Sequence, residues 1–280
     1  MQNGFGGTML IKVFAVAVLC SVALAQGGPR HVLQLAAPAV AGAARDGALP
    51  GSVTLRADGG ASIVCAGMLI RLGAPGAPEA NGMRSERVLL PLAAVGPAAA
   101  SAYAPDRLAR EAEVRAQADA RPDLLVLPEQ DGAAAAQLAA RLPERGQAIA
   151  ATEALAQALR ARGYTRVFAF HSWDALHLNK GKTQLRLTAL AGRDGGTLPA
   201  GFMLDFGQGR GSYRIYLSGG AAPTEQERAE IPRRYPGADM AVLDAGGQAR
   251  LALVRRGGHQ GAATLQEVSG ASIGFALLRR

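Results

Sequence analysis

The chain has 280 residues and a net charge of +8, from 30 basic and 22 acidic side chains. With 49% hydrophobic and 19% charged residues it has the make-up of a packed globular chain, which excludes a disordered one. Its 36 Gly and 15 Pro follow no Gly-X-Y period, which excludes collagen. Basic residues cluster only in pairs (Arg233-Arg234, Arg255-Arg256, Arg279-Arg280) and aromatics are 5%, so no nucleic-acid partner is expected.

Residues 1–25 have the pattern of a signal peptide: Lys12, an apolar run from Val13 to Leu24, and the small-x-small site Ala23-Leu24-Ala25. Met9 is an alternative start. The run is shorter than the ~20 residues that span a bilayer. Cleavage near Gln26 would therefore leave no membrane span, and the protein is expected to be exported, periplasmic or secreted. Leu19 is too bulky to precede a lipid-bearing Cys20. Cys65 would then be the one cysteine of the mature chain, without an intrachain disulfide. Within the apolar stretch Ser62–Ala66 it is expected to fill the core. Residues 26–51, rich in Ala, Gly and Pro, read as a flexible leader before one domain over 52–280.

Short strands are expected around Val53–Leu55, Ile63–Cys65 and Met68–Ile70, joined by glycine turns, and again over Arg87–Ala93. Ala104–Ala120 carries Asp106/Arg110 and Glu111/Arg115 at i,i+4 spacing and predicts an exposed helix. Asp123–Leu127 is almost wholly apolar, as in a strand buried on both faces. Helices should follow over Ala133–Leu142 and Thr152–Arg162, the second with Thr152 as N-cap and Gly163 as stop, with a short strand at Gln147–Ala150 between them. Further strands are expected at Arg166–Phe170, Gln184–Leu190, Phe202–Phe206 and Tyr213–Leu217. His171 and His177, flanking Trp173-Asp174, read as a surface-loop pair. Thr224-x-x-Glu227 is a capping box whose helix Pro232 should interrupt. Strands at Asp239–Leu243 and Arg250–Val254, a helix around Ala262–Val268 and a strand at Ser272–Leu277 complete the pattern. Strands alternating with helices predict an α/β fold, two sheets with helices outside.

Several motif-like strings carry no chemistry. Gly207-x-Gly209-x-Gly211 is followed by a strand pattern instead of a helix, so it reads as a hairpin turn and not as a phosphate loop. Gly270-x-Ser272-x-Gly274 has no later histidine to complete a serine-hydrolase triad. Pro122–Glu129 is similar to the glutamate segment of carbon–nitrogen hydrolases, but their nucleophilic Cys follows that Glu, whereas Cys65 precedes it.

From Ser52 to Ala276 the order of segments resembles the metallo-β-lactamase superfamily, especially its lactonase-like and phosphodiesterase-like hydrolases. Asp58–Ile63 with Met68-Leu69-Ile70 looks like that family's opening hairpin. Asp123–Leu127 looks like the strand that delivers its His-x-His-x-Asp-His metal motif. Thr152–Phe170 followed by Trp173-Asp174 resembles the middle helix and next strand. Gly201–Leu204 with Arg214–Gly219 resembles the hairpin ending in Gly-Asp, and Ala238–Leu243 the strand after it. The resemblance implies a four-layer αββα sandwich.

It also implies two zinc ions about 3.5 Å apart, held by some six nitrogen or oxygen donors. Counted from Asp123, the four motif positions fall on Glu129, Asp131, Ala133 and Ala134. The next ligand falls near Asp194, the bridging aspartate on Gly220, and the last histidine near Ala276. Alanine and glycine offer no side-chain donor, so no catalytic residue and no cofactor are expected. The implied protein is a pseudoenzyme that binds a small molecule or a protein in a cleft lined by Glu129, Asp131, Asp194, Gly219 and Gly220. The alternative is a metal-dependent hydrolase in which Glu129, Asp131 and Asp194 hold one Mn, Mg or Ca ion, the hard-cation preference of carboxylates.

Overall fold

A computed structural model describes residues 30–35, 50–56, 59–73, 121–128, 134–142, 144–192, 195–208, 211–219, 223–244, 248–255, 263–269 and 272–279. The strand expected at Arg87–Ala93 and the helix at Ala104–Ala120 lie outside these residues, as does the signal-peptide segment. What is described is mostly β: two mixed sheets and few helices.

One sheet begins with the meander β2 (Pro50–Leu55), β3 (Ala61–Cys65) and β4 (Met68–Leu72). Three strands then add in parallel: β5 (Leu124–Leu127), β6 (Ile149–Thr152) and β7 (Val167–Phe170). Helices α1 (Ala134–Arg141) and α2 (Glu153–Arg160) make the crossovers. The second sheet holds β8 (Ala175–Lys180), β9 (Thr183–Ala191), β10 (Pro199–Gln208) and β11 (Gly211–Ser218) as an antiparallel run. Helix α3 (Glu225–Arg234) leads to β12 (Met240–Asp244), parallel to β11, then β13 (Ala249–Arg255) and β14 (Thr264–Glu267).

Period-two alternation divides the apolar side chains among three clusters. Leu124 and Val126 of β5, Leu185 and Leu187 of β9, and Ile215 and Leu217 of β11 share the cluster between the sheets. The alternate residues Leu125 and Leu127 pack with Leu155 and Leu159 of α2 on the outer side of the first sheet. Tyr216, Ala241 and Leu243 pack with Ile231 of α3 outside the second. Burial on both faces is why β5 reads Leu-Leu-Val-Leu without a polar residue.

Several expectations need correction. Arg30–Leu35, within the expected leader, forms β1, paired in parallel with β8 at the edge of the second sheet. β8 itself was not expected, and it removes His177 from a loop: His177 pairs with Val32 and Arg186 in mid-strand. Residues 264–267 form β14 and not a helix, because the free edge of β13 gives their backbone a ladder to complete. Pro232 does not stop α3. It lies in the last turn, where its missing N–H removes one intrahelical bond, and its ring is buried. The capping box is present as expected, Glu227 N–H donating to Thr224 Oγ1 and Thr224 N–H donating to Glu227. Thr152 occupies the α2 N-cap without a side-chain capping bond.

The final strands tie the sheets together. β15 (Ser272–Ala276) pairs with β2 in the first sheet, and β16 (Leu278–Arg279) pairs with β11 in the second. Phe275 of this strap enters the inter-sheet core, stacked 4.2 Å from Tyr213 and tilted against Phe206. Near the same end, Lys180 Nζ lies 2.7 Å from Asp123 Oδ2 and donates to Gly67 O at 2.6 Å, linking β8 to the turn before β4 and the start of β5.

Candidate functional site

The connectivity gathers loops at one edge of the sandwich. The C-terminal ends of β5, β6 and β7 face the same way because the three are parallel. The 171–174 turn carries the chain from the end of β7 to the start of β8, so the end of β9, the start of β10 and the ends of β11 and β12 lie at that edge too. Strand ends of one direction meeting in a crevice are where α/β folds place ligands.

Of the expected cleft residues, Gly219 lies at this edge, directly after β11, its N–H donating to Ala200 O at 3.0 Å. A Cβ there would come within 2.8 Å of that same oxygen. Close backbone approach therefore accounts for this glycine without a ligand. Glu129, Asp131, Asp194 and Gly220 lie outside the described residues. The described chain leaves towards them at Pro128, Gly192 and Gly219, after β5, β9 and β11. Ala276, counted as the last ligand position, is at the opposite edge, paired with Pro50 at the start of β2. That assignment is withdrawn: β15 belongs to the other sheet and runs away from Gly219.

Two further groups lie at this edge, one that the sequence did not single out and one read there only as part of a surface-loop pair. Asp244 ends β12, and its N–H donates to the buried Ser218 Oγ at 2.7 Å, joining the ends of two parallel strands. The second is the turn His171–Asp174. Asp174 is 2% exposed, and its Oδ2 accepts the His171 N–H at 2.8 Å while lying 3.4 Å from His171 Nδ1. The His171 ring is half-exposed. Asp174 thus holds the His171 backbone and stands beside its ring. The available signal was a lone acid directly before the alternation Ala175–Leu178.

Among the described residues no three His, Cys, Asp or Glu side chains come together as a metal cluster. The residues that the sequence resemblance sets at ligand positions, Ala133, Ala134 and Gly220, would not fit a dinuclear zinc centre, because alanine and glycine present no side-chain donor. Cys65 is buried in the core between the sheets, and burial pushes its thiol up to about 12 from 9.0. The nucleophile is the thiolate, so this cysteine is inert. In the native protein it should react with a thiol reagent at pH 8 far more slowly than in urea, followed by absorbance. Between pH 9 and about 12 the unfolded chain releases a proton that the folded one keeps. Stability should therefore fall with rising pH across that window, and Cys65→Ala should flatten the fall. Burial also raises Tyr213 and Tyr216, which deepens the alkaline loss.

No protein-family model matches the chain. No curated protein matches it. Among solved structures it is similar to an isothiocyanate hydrolase from Delia radicum gut bacteria, at 15% identity and a TM-score of 0.34, over 70% of this chain and 71% of that one. It is also similar to a possible metal-dependent hydrolase from Veillonella parvula, at 13% identity and a TM-score of 0.33, over 68% of this chain and 69% of that one. Both neighbours are described as hydrolases, and likeness at that level assigns this chain neither a family nor an activity.

Proposed function

We propose that the chain is an exported, degenerate relative of the metallo-β-lactamase superfamily with a four-layer αββα domain. Its strand-end cleft has lost the dinuclear metal site and serves as a non-catalytic binding site for a small molecule or a protein. Three clusters of apolar side chains, one between the sheets and one outside each, support the four layers. One observation carries the functional reading. The ends of β5, β9 and β11 share an edge, and the chain beyond them reads Glu129, Asp131, Ala133, Ala134, then Asp194, then Gly220. Losing one ligand of a metal centre or its support costs about 10–100-fold in affinity or activity, and at least three of these positions offer no donor.

Elemental analysis of the purified protein, with melting curves under added Zn²⁺, Mn²⁺ and Ca²⁺, tests this. We expect zinc well below one ion per chain and an unchanged midpoint with each ion. Stoichiometric zinc would overturn the reading. Stabilisation by Mn²⁺ or Ca²⁺ that disappears in Glu129→Ala would replace it with a carboxylate site for one hard cation.

A further inference from the structure

We propose that the turn His171–Asp174, with the neighbouring loop around Leu198, is a binding site for a neutral polyhydroxylated ring of the saccharide class. This deepens the binding-domain reading and rests on it. Val32, Trp173 and Leu198 are the large hydrophobic side chains left exposed among the described residues, and two of the three lie on the two segments that Ser172 links. Ser172 joins them: its N–H donates to Thr197 O at 2.8 Å, and its Oγ lies 2.7 Å from Gly196 O and 3.1 Å from Leu198 O.

Trp173 has φ 75, a left-handed backbone that a bulky L-residue adopts only against a steric cost. Glycine or asparagine would hold this turn more cheaply. The surroundings nevertheless enforce it, with Trp173 N–H donating to Ala189 O at 2.9 Å and Asp174 N–H to His171 O at 3.1 Å. The result is an indole held out of the core, 53% exposed, on a turn tied down at both ends. Strain kept at an exposed aromatic residue is a mark of a site.

The polar groups narrow the ligand. The half-exposed His171 ring lies beside Asp174, and an imidazole nitrogen can hydrogen-bond a hydroxyl. Indole Nε1–H is a donor. Asp174, the turn's one carboxylate, is buried and already occupied, so it offers an organic cation no contact. The turn carries no Lys or Arg for an anion. What remains is a flat apolar face beside the indole donor and an imidazole nitrogen. A sugar ring matches that with one C–H face and a hydroxyl rim.

Trp173 is the chain's single tryptophan, so intrinsic fluorescence reports this corner alone. The full protein would be titrated with glucose, galactose, N-acetylglucosamine and a β1,4-linked disaccharide, with p-cresol as a hydroxylated ring lacking the polyol rim. We expect a saturable emission change with at least one sugar, at a Kd on the order of millimolar. Binding should weaken about fivefold in His171→Ala, the share of one hydrogen bond. In Trp173→Gly, calorimetry should find no binding, with a melting midpoint not lowered, because glycine relieves the strained φ. A flat titration with every sugar, a response to p-cresol alone, or sugar binding unchanged in His171→Ala would overturn the proposal. Metal analysis reads the cleft and fluorescence reads the indole, so either reading can fail without the other.

Discussion

Phe275→Ala should lower the unfolding free energy by about 3–5 kcal/mol, read from urea denaturation. The ring is buried between the sheets, stacked on Tyr213 and tilted against Phe206, although its backbone belongs to the edge of the opposite sheet. It reaches that position only because its ladder partner is Gly51: a Cβ at residue 51 would come within 2.2 Å of the Phe275 ring. Gly51→Ala alone should therefore cost at least about 1–3 kcal/mol, the range for overpacking a core. Once Phe275 is Ala, the Gly51 substitution has room and should cost less than half as much. The cycle then shows a coupling above about 1 kcal/mol. Strict additivity would mean that the ring can swing clear of residue 51, and the glycine would need another explanation.

Lys180→Met should cost about 2–4 kcal/mol in the same assay, because it leaves the Asp123 carboxylate without its cation in a site where both side chains are more than four-fifths covered. Asp123 also holds backbone, since its Oδ2 accepts the Leu69 N–H at 2.8 Å. Asp123→Asn keeps an acceptor for Leu69 and removes the charge. Combined with Lys180→Met it should recover more than half of the loss. Asp123→Leu should not, because the Leu69 N–H would be left unpaired. A Lys180→Met cost below about 0.5 kcal/mol would reduce the pair to a solvated surface contact.

Elements whose signal was local were legible in the sequence. The run Leu124–Leu127, the capping box at Thr224 and the alternation in β10 and β11 each declare themselves within a few residues. What escaped was decided by distant pairing. β1 lies in an Ala, Gly and Pro-rich stretch, and only β8 gives it a ladder. Leu265, Gln266 and Glu267 are good helix formers, and the edge of β13 makes them a strand. The same limit shaped the site. Counting along the chain led to Glu129, Asp131, Asp194 and Gly220, which follow the ends of β5, β9 and β11 in sequence and lie outside the described residues. It failed at Ala276, where the chain changes sheets. Ser218 was missed, and Asp174 was read only as part of a surface loop, because one buried acid or hydroxyl has no spacing pattern of its own.

The strap of β15 and β16 also sets a timetable for synthesis. Thr54 in β2 and its hydroxyl partner Ser272 in β15 are 218 positions apart. At ~5–20 residues per second, the ribosome takes on the order of 10–40 s to supply the strand that covers β2. Throughout that interval a nascent chain carries an open β edge and a half-filled aromatic cluster, a state that invites pairing with a neighbouring polypeptide. Such a molecule stays unfinished for as long as it is being made.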